Sequence, residues 1–260
     1  MNRLHPSNSL RVALAAAAVA ASTCGAARAD GLADLRGALA RLAGQAPLKA
    51  SVLVRDWRRS GEGKEAKETQ GQATIGLEDG PRGLQPSYSH ELLARADAES
   101  RAAVKDKAAA KPVAQALGQL GFAELRTLSA PAPVLQREID DAAFKGESAD
   151  SWSGRSARRL VFEGSVESLP EQDRKYVREF KSVLSVWIAA DGTPLASTRH
   201  LEVSGRAFVV ITYELRSDQQ RTFALVGDRL VALTDEEKGH AKGAGETQEY
   251  RTERSLQVLP

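Results

Sequence analysis

Between Arg158 and Leu259 the chain alternates apolar and polar residues in one short segment after another, and each segment ends at a small or glycine-containing turn signal. A period of two with gaps of only a few residues leaves antiparallel neighbours as the outcome, because a parallel crossover needs a dozen residues or more. Leu160 and Phe162 open the series. Phe180, Leu184, Val186 and Ile188 follow, and Asp191-Gly192 reads as a hairpin turn that needs positive φ. A returning strand over 195–203 is expected to turn at Ser204-Gly205. Ala207, Val209, Ile211, Tyr213 and Leu215 then line one face of the next segment. Ser217-Asp218 is expected to separate that segment from Phe223–Val226, and Gly227-Asp228 leads into Leu230–Leu233. A charged, glycine-rich connection over 235–245 precedes the last strand, Tyr250–Leu259. Apolar groups on both faces, as with Phe208 and Val210 opposite Val209 and Ile211, imply a sheet that is covered on two sides or curled.

The first half begins with a helix. Asp30 is a helix N-cap candidate, Leu32, Leu35, Leu39 and Leu42 recur at three and four residues, and Gly44 and Pro47 close the segment. The period then changes to two at Ala50, Val52 and Val54, and again at Ala73, Ile75 and Leu77. A connection over 60–71 joins these runs. Glu78-Asp79-Gly80-Pro81 reads as a turn, after which Leu84, Pro86 and Tyr88 continue. From Ser89 to Leu120 the residues favour helix, with a break at Pro112, and the charged stretch reads as a solvated surface helix. Pro131 to Phe144 suggests a short helix capped by Gly146, and 147–156 a polar loop around Trp152. The expected fold class is α+β: a mainly antiparallel curled sheet, a half-barrel-like meander, with the N-terminal helix packed on its concave face and a helical insertion at about 89–146.

Residues 1–29 stand apart. Arg3 and Arg11 precede the apolar run Val12–Ala21, and Ala27-Arg28-Ala29 places small residues at −3 and −1. This is the pattern of a secretory signal, with cleavage between Ala29 and Asp30 and a periplasmic or secreted product. The run is too short for a transmembrane helix. A lipoprotein signal ending at Cys24 is the alternative, although Ala21-Ser22-Thr23 lacks the customary residues before it. The whole chain carries 36 basic and 34 acidic residues, but residues 1–29 hold three arginines, no acid and the single cysteine. Residues 30–260, one mainly-β domain, are thus nearly neutral and cysteine-free, which excludes a disulfide scaffold and a strongly basic nucleic-acid binder.

No catalytic, cofactor or metal constellation is legible. His90, His200 and His240 lie at no metal-ligand spacing, and neither a nucleophile elbow nor a complete phosphate loop occurs. Ser151 and Ser153 around Trp152 read as loop residues. Gly61-Glu62-Gly63-Lys64 and Gly243-Ala244-Gly245 read as flexible connections. Asp140-Asp141 and Glu236-Glu237 are adjacent acids that would point apart in a strand. Arg55, Arg58 and Arg59, and Arg158 and Arg159, form small basic clusters.

The order of signal peptide, Leu-striped helix (Leu32–Leu42), strand Lys49–Trp57, strand Gly71–Leu77 and C-terminal meander resembles the LolA/LolB-like superfamily. The resemblance covers 32–88 and 157–259, and the insertion at 89–146 departs from it. It implies a half-barrel with a helical lid over an apolar cavity that receives lipoprotein acyl chains, and it assigns no individual residue. Three functional expectations follow. The first is a periplasmic binding or carrier protein for an apolar ligand or lipidated partner. The second is a non-enzymatic envelope assembly protein docking through a sheet edge or the 89–111 helix. The third is an enzyme, which requires a pocket where one of the histidines meets an acid.

Overall fold

The computed structural model describes residues 30–207 and 211–260. The expected cleavage position and Cys24 fall outside them except for Asp30, as do Phe208, Val209 and Val210.

Asp30 caps the first helix, α1 (Gly31–Arg41), its carboxylate accepting from the backbone N–H of Leu32 at 3.1 Å and of Ala33 at 3.3 Å. The strands β1 (Leu48–Ser60), β2 (Lys67–Gly80) and β3 (Gly83–Ser87) follow. The helices α2 (His90–Lys105), α3 (Pro112–Leu117), α4 (Phe122–Ser129) and α5 (Ala132–Asp140) come next. Then come β4 (Ala142–Trp152), β5 (Arg155–Gly164), a short α6 (Glu171–Arg174), and β6 (Val177–Ile188), β7 (Pro194–Ala207), β8 (Ile211–Val226), β9 (Arg229–Gly243) and β10 (Glu246–Val258). All ten strands form one curled antiparallel sheet that does not close into a barrel, in the order β3-β2-β1-β10-β9-β8-β7-β6-β5-β4.

Every strand pairs with its sequence neighbour except at two places. β1 pairs with β10, in a register running from Ala50↔Val258 to Ser60↔Gln248. β3 and β4 are the two edges, and the helical run α2–α5 carries the chain from one to the other across a face of the sheet. That face bears the apolar alternation. Val52, Val54, Ile75, Leu77 and Leu256 pack with Leu92, Val113, Leu125 and Leu128 in one cluster. Leu160, Phe162, Val186 and Ile188 pack with Leu35, Leu39, Leu135 and Ile139 in the other.

Several boundaries differ from the sequence expectations. The expected turn at Ser204-Gly205 lies inside β7 and the expected break at Ser217-Asp218 inside β8. The connection at 235–245 shrinks to Ala244-Gly245, both with positive φ, between two long strands. In each case a polar strand is held by hydrogen-bonded neighbours on both sides, so its own apolar pattern is not needed. The loop at 147–156 is a hairpin of β4 and β5, turning at Ser153-Gly154. The helix expected to reach Gly146 ends at Asp140, α4 precedes it, and Gly146 instead marks a bulge in β4. β1 extends to Ser60 and β2 begins at Lys67, shortening the connection at 60–71. Asp79, read as a turn residue, is a buried member of β2. Gly192 has the expected positive φ of 83°. The helical insertion thus spans 90–140 rather than 89–146.

Leu135 on α5 is fully buried between α1 and the sheet. Leu135→Ala is expected to lower unfolding stability by about 2–5 kcal/mol in urea denaturation, through lost burial and the cavity left behind.

Candidate functional site

The two faces of the sheet differ in chemistry, and the register assigns each side chain to one of them. On the helix-side face the apolar core gives way, along the strands, to a row of buried charges. Asp56 accepts from Gln115 Nε2 of α3 at 2.8 Å, from Thr252 Oγ1 at 2.8 Å and from Arg58 at 3.0 Å. Asp235 pairs with Arg254 at 3.1 Å and with Arg221 at 3.5 Å. Arg221 also donates to both carboxylate oxygens of Glu138 on α5 at 3.0 Å. Burial by itself would lower the Arg221 pKa; the carboxylates of Glu138 and Asp235 outweigh it and raise it above the ordinary arginine value. Near the other end of these helices, Asp79 binds Arg229 and, at 3.0 Å, Arg126 of α4. These groups clamp α3, α4 and α5 to the strands.

Past that row the same face continues as an apolar strip across the strands, here called the trough. Phe180, Val203, Leu215 and Ala241 lie opposite one another on β6, β7, β8 and β9, with Leu201, Tyr213 and Tyr250 beside them. All are half-buried, and none belongs to either core cluster. Two glycines shape the floor. A Cβ at Gly239 would collide with the Tyr250 ring, and one at Gly205 would lie 2.6 Å from the Tyr213 hydroxyl, so each ring lies across the glycine paired with it. Tyr250 donates to Glu237 at 3.2 Å; burial, with that carboxylate beside it, pushes its phenol above the usual tyrosine pKa.

The opposite face is free of α1–α5 and carries a cross-strand lattice of polar groups. His200 on β7 faces Asp218 on β8, which faces Lys238 on β9, then Arg251 on β10 and Trp57 on β1. Lys181, Glu202, Arg216, His240 and Glu249 form the next row. His200 Nδ1 lies 2.7 Å from Asp218 and Nε2 3.1 Å from Glu202. The bond from His200 holds the Glu202 carboxyl below its ordinary pKa. A depression of about 500 Å³ opens here, lined by Arg159, Thr198, His200, Asp218, Glu236 and Lys238 among others. A second of about 680 Å³ shares Asp218, Lys238 and Arg251 with it and reaches Trp57 and His240.

Of His90, His200 and His240, the structure brings His200 to two acids and His240 into the neighbouring row, while His90 begins α2. Both ring nitrogens of His200 face carboxylates. Glu236 and Glu237 do point to opposite faces, as do Arg158 and Arg159. Asp140 pairs with Arg36 at 3.1 Å and stays at the surface; Arg55 and Arg59 pair with Glu253 and Glu68. Ser151, Ser153 and Trp152 belong to the β4–β5 hairpin, and Glu62 of the 61–64 turn accepts from Thr247 at 2.7 Å. Among the described residues no cluster of three metal-binding side chains occurs, and no helix is long and apolar enough to cross a membrane. The buried charge row was missed because its members, from Asp56 to Arg254, are spread across about 200 residues of chain. The one local signal was a charge at an inward-facing strand position, as at Asp56, Arg221, Asp235 and Arg254.

Comparison with protein-family models, curated proteins and solved structures finds no match to this chain.

Two outcomes are expected. Glu138→Leu leaves Arg221 short of a carboxylate in a buried site and lowers stability by about 3–5 kcal/mol, whereas Glu138→Leu combined with Arg221→Met recovers most of that loss; a double-mutant cycle in urea measures both. The folded pKa of Glu202 is depressed, so its contribution is present above 4.5 and is lost as pH falls through the lower folded value. Glu202→Gln should flatten that part of the stability-against-pH curve, read by thermal melts between pH 3 and 6.

Proposed function

We propose that this is an exported binding or carrier protein that receives an apolar ligand, or the acyl part of a lipidated partner, in the trough beside its helical cover. The observation that carries this reading is the continuation of the apolar face beyond the core: Phe180, Leu201, Val203, Leu215, Tyr213 and Tyr250 share one face of adjacent strands and lie outside both packed clusters. Concave or trough-like apolar surface with a few polar groups at its margin is what ligand sites in such folds present. The resemblance to LolA/LolB-like carriers points the same way, and the signal-like residues 1–29 supply the compartment.

A second reading rests on α2. Leu92 is its one buried residue, while Leu93 and Val104 on the same helix are 48% and 87% exposed. A partner that packs on this helix would make the protein an assembly factor.

Native mass spectrometry of the protein purified from its own cell envelope is expected to show co-purified lipid or acylated partner. Leu201→Asp and Leu215→Asp, which leave the core clusters intact, should remove that mass without shifting the melting temperature by more than a few degrees. Retention of the lipid by both variants would move the site elsewhere, and its absence from the unmodified protein would favour the α2 reading.

A further inference from the structure

The face opposite the trough holds all three tryptophans of the chain: Trp57 on β1, Trp187 on β6 and Trp152 on β4. The packed core on the other face is built from Leu, Val, Ile, Ala and Phe. Trp152 and Trp187 are in contact with ring centroids 4.8 Å apart and planes tilted by 46°, and the Arg159 guanidinium lies 5.3 Å over the Trp187 ring while bonding Ser185 Oγ. Trp57 stands on the far side and borders the 680 Å³ depression. Between them the floor is polar and mixed in sign. The side chains of Gln220, Glu236 and Lys238 make no hydrogen bond or ion pair among the described residues, so an amide, a carboxylate and an ammonium stand in one cavity with their bonding capacity free.

We infer that this face is a second binding site, for a short oligosaccharide. A pyranose ring has a C–H face that stacks on an indole. Its rim of hydroxyls both donates and accepts, which requires donors and acceptors side by side. Trp57 supplies the flat surface, and Asp218, Glu236, Gln220, Lys238 and Arg251 supply both kinds of polar group. The alternation of acids and bases across the strands fits a hydroxyl-rich neutral ligand better than a polyanion, which selects a single-sign surface. An apolar ligand would have to strip water from these charges with nothing to replace it. The site is on the other face from the trough and does not depend on it.

Because every tryptophan is on this face, intrinsic fluorescence reads it without a label. Chitotetraose and cellotetraose titrated into the full protein should change the emission in a saturable way for at least one of the two. Trp57→Ala should weaken that binding about tenfold or more, as loss of an aromatic anchor does. Asp218→Asn, which keeps the tryptophans and the side-chain volume, should weaken it as well, and calorimetry measures both variants. Leu201→Asp, on the opposite face, should bind as the unmodified protein does, which separates this site from the carrier trough. No response to either sugar at millimolar concentration overturns the inference. So does a response that both Trp57→Ala and Asp218→Asn leave unchanged, or an emission change given by a polar tetrapeptide in place of the sugars.

Discussion

The pairing of β1 with β10 is the constraint on which the architecture depends. It joins residues about 200 positions apart, in eleven consecutive register pairs, and makes one sheet of what would otherwise be a three-stranded and a seven-stranded piece. Bringing such distant segments together costs less than their separation suggests, because loop-closure entropy grows only with the logarithm of length. Once β1 lies between β2 and β10, β3 and β4 become opposite edges. The chain between them must then cross the whole sheet. Four helices make that crossing, and their apolar sides cover the face on which Val52, Ile75, Leu160 and Val186 project.

The crossing is fastened by charge as much as by oil. Glu138, Gln115, Arg126 and the carbonyl of Gln119 each meet a buried strand residue: Arg221, Asp56, Asp79 and Arg254. A buried pair adds little net stability over a hydrophobic one, but it fixes which helix sits over which strand, since a misplaced helix would leave a charge unpaired. The row also divides the helix-side face. On one side of it the sheet is filled by packed Leu and Val. On the other, Leu201, Val203, Leu215 and Phe180 continue outside those clusters, and two tyrosines lie flat across paired glycines. The boundary between structural core and candidate site is thus a line of ions.

The reverse face obeys a different rule. Its side chains project from the same strands and alternate with the core residues, but cross-strand pairs of opposite charge satisfy many of them in place of a hydrophobic cover, as with Lys181 and Glu202 at 3.6 Å or Arg216 and Glu202 at 3.5 Å. This explains why β8 and β9 could not be followed to their ends by hydropathy. From Ser217 to Thr222 in β8 and from Thr234 to Gly243 in β9 the strands carry no large apolar residue, and β9 places Gly239 where a core residue would be expected. Their order comes from neighbours on both sides.

Local pattern by itself determined the antiparallel class, the helix capped by Asp30 with its Leu35 and Leu39 stripe, the first strands, the helix break at Pro112 and the turns at Gly192 and Gly227. These depend on interactions within a few residues: a carboxylate on free N–H groups, a side-chain period, a glycine at positive φ. It also separated the charge of residues 1–29 from that of the rest. Only the tertiary structure decided which strands are edges, how the buried acids find their bases, that β7 to β10 run on past their polar halves, and that His200 lies between Asp218 and Glu202 while all three tryptophans share one face. Those arrangements are pairings between strands and helices far apart in the chain, and a one-dimensional period carries no record of the partner across a sheet.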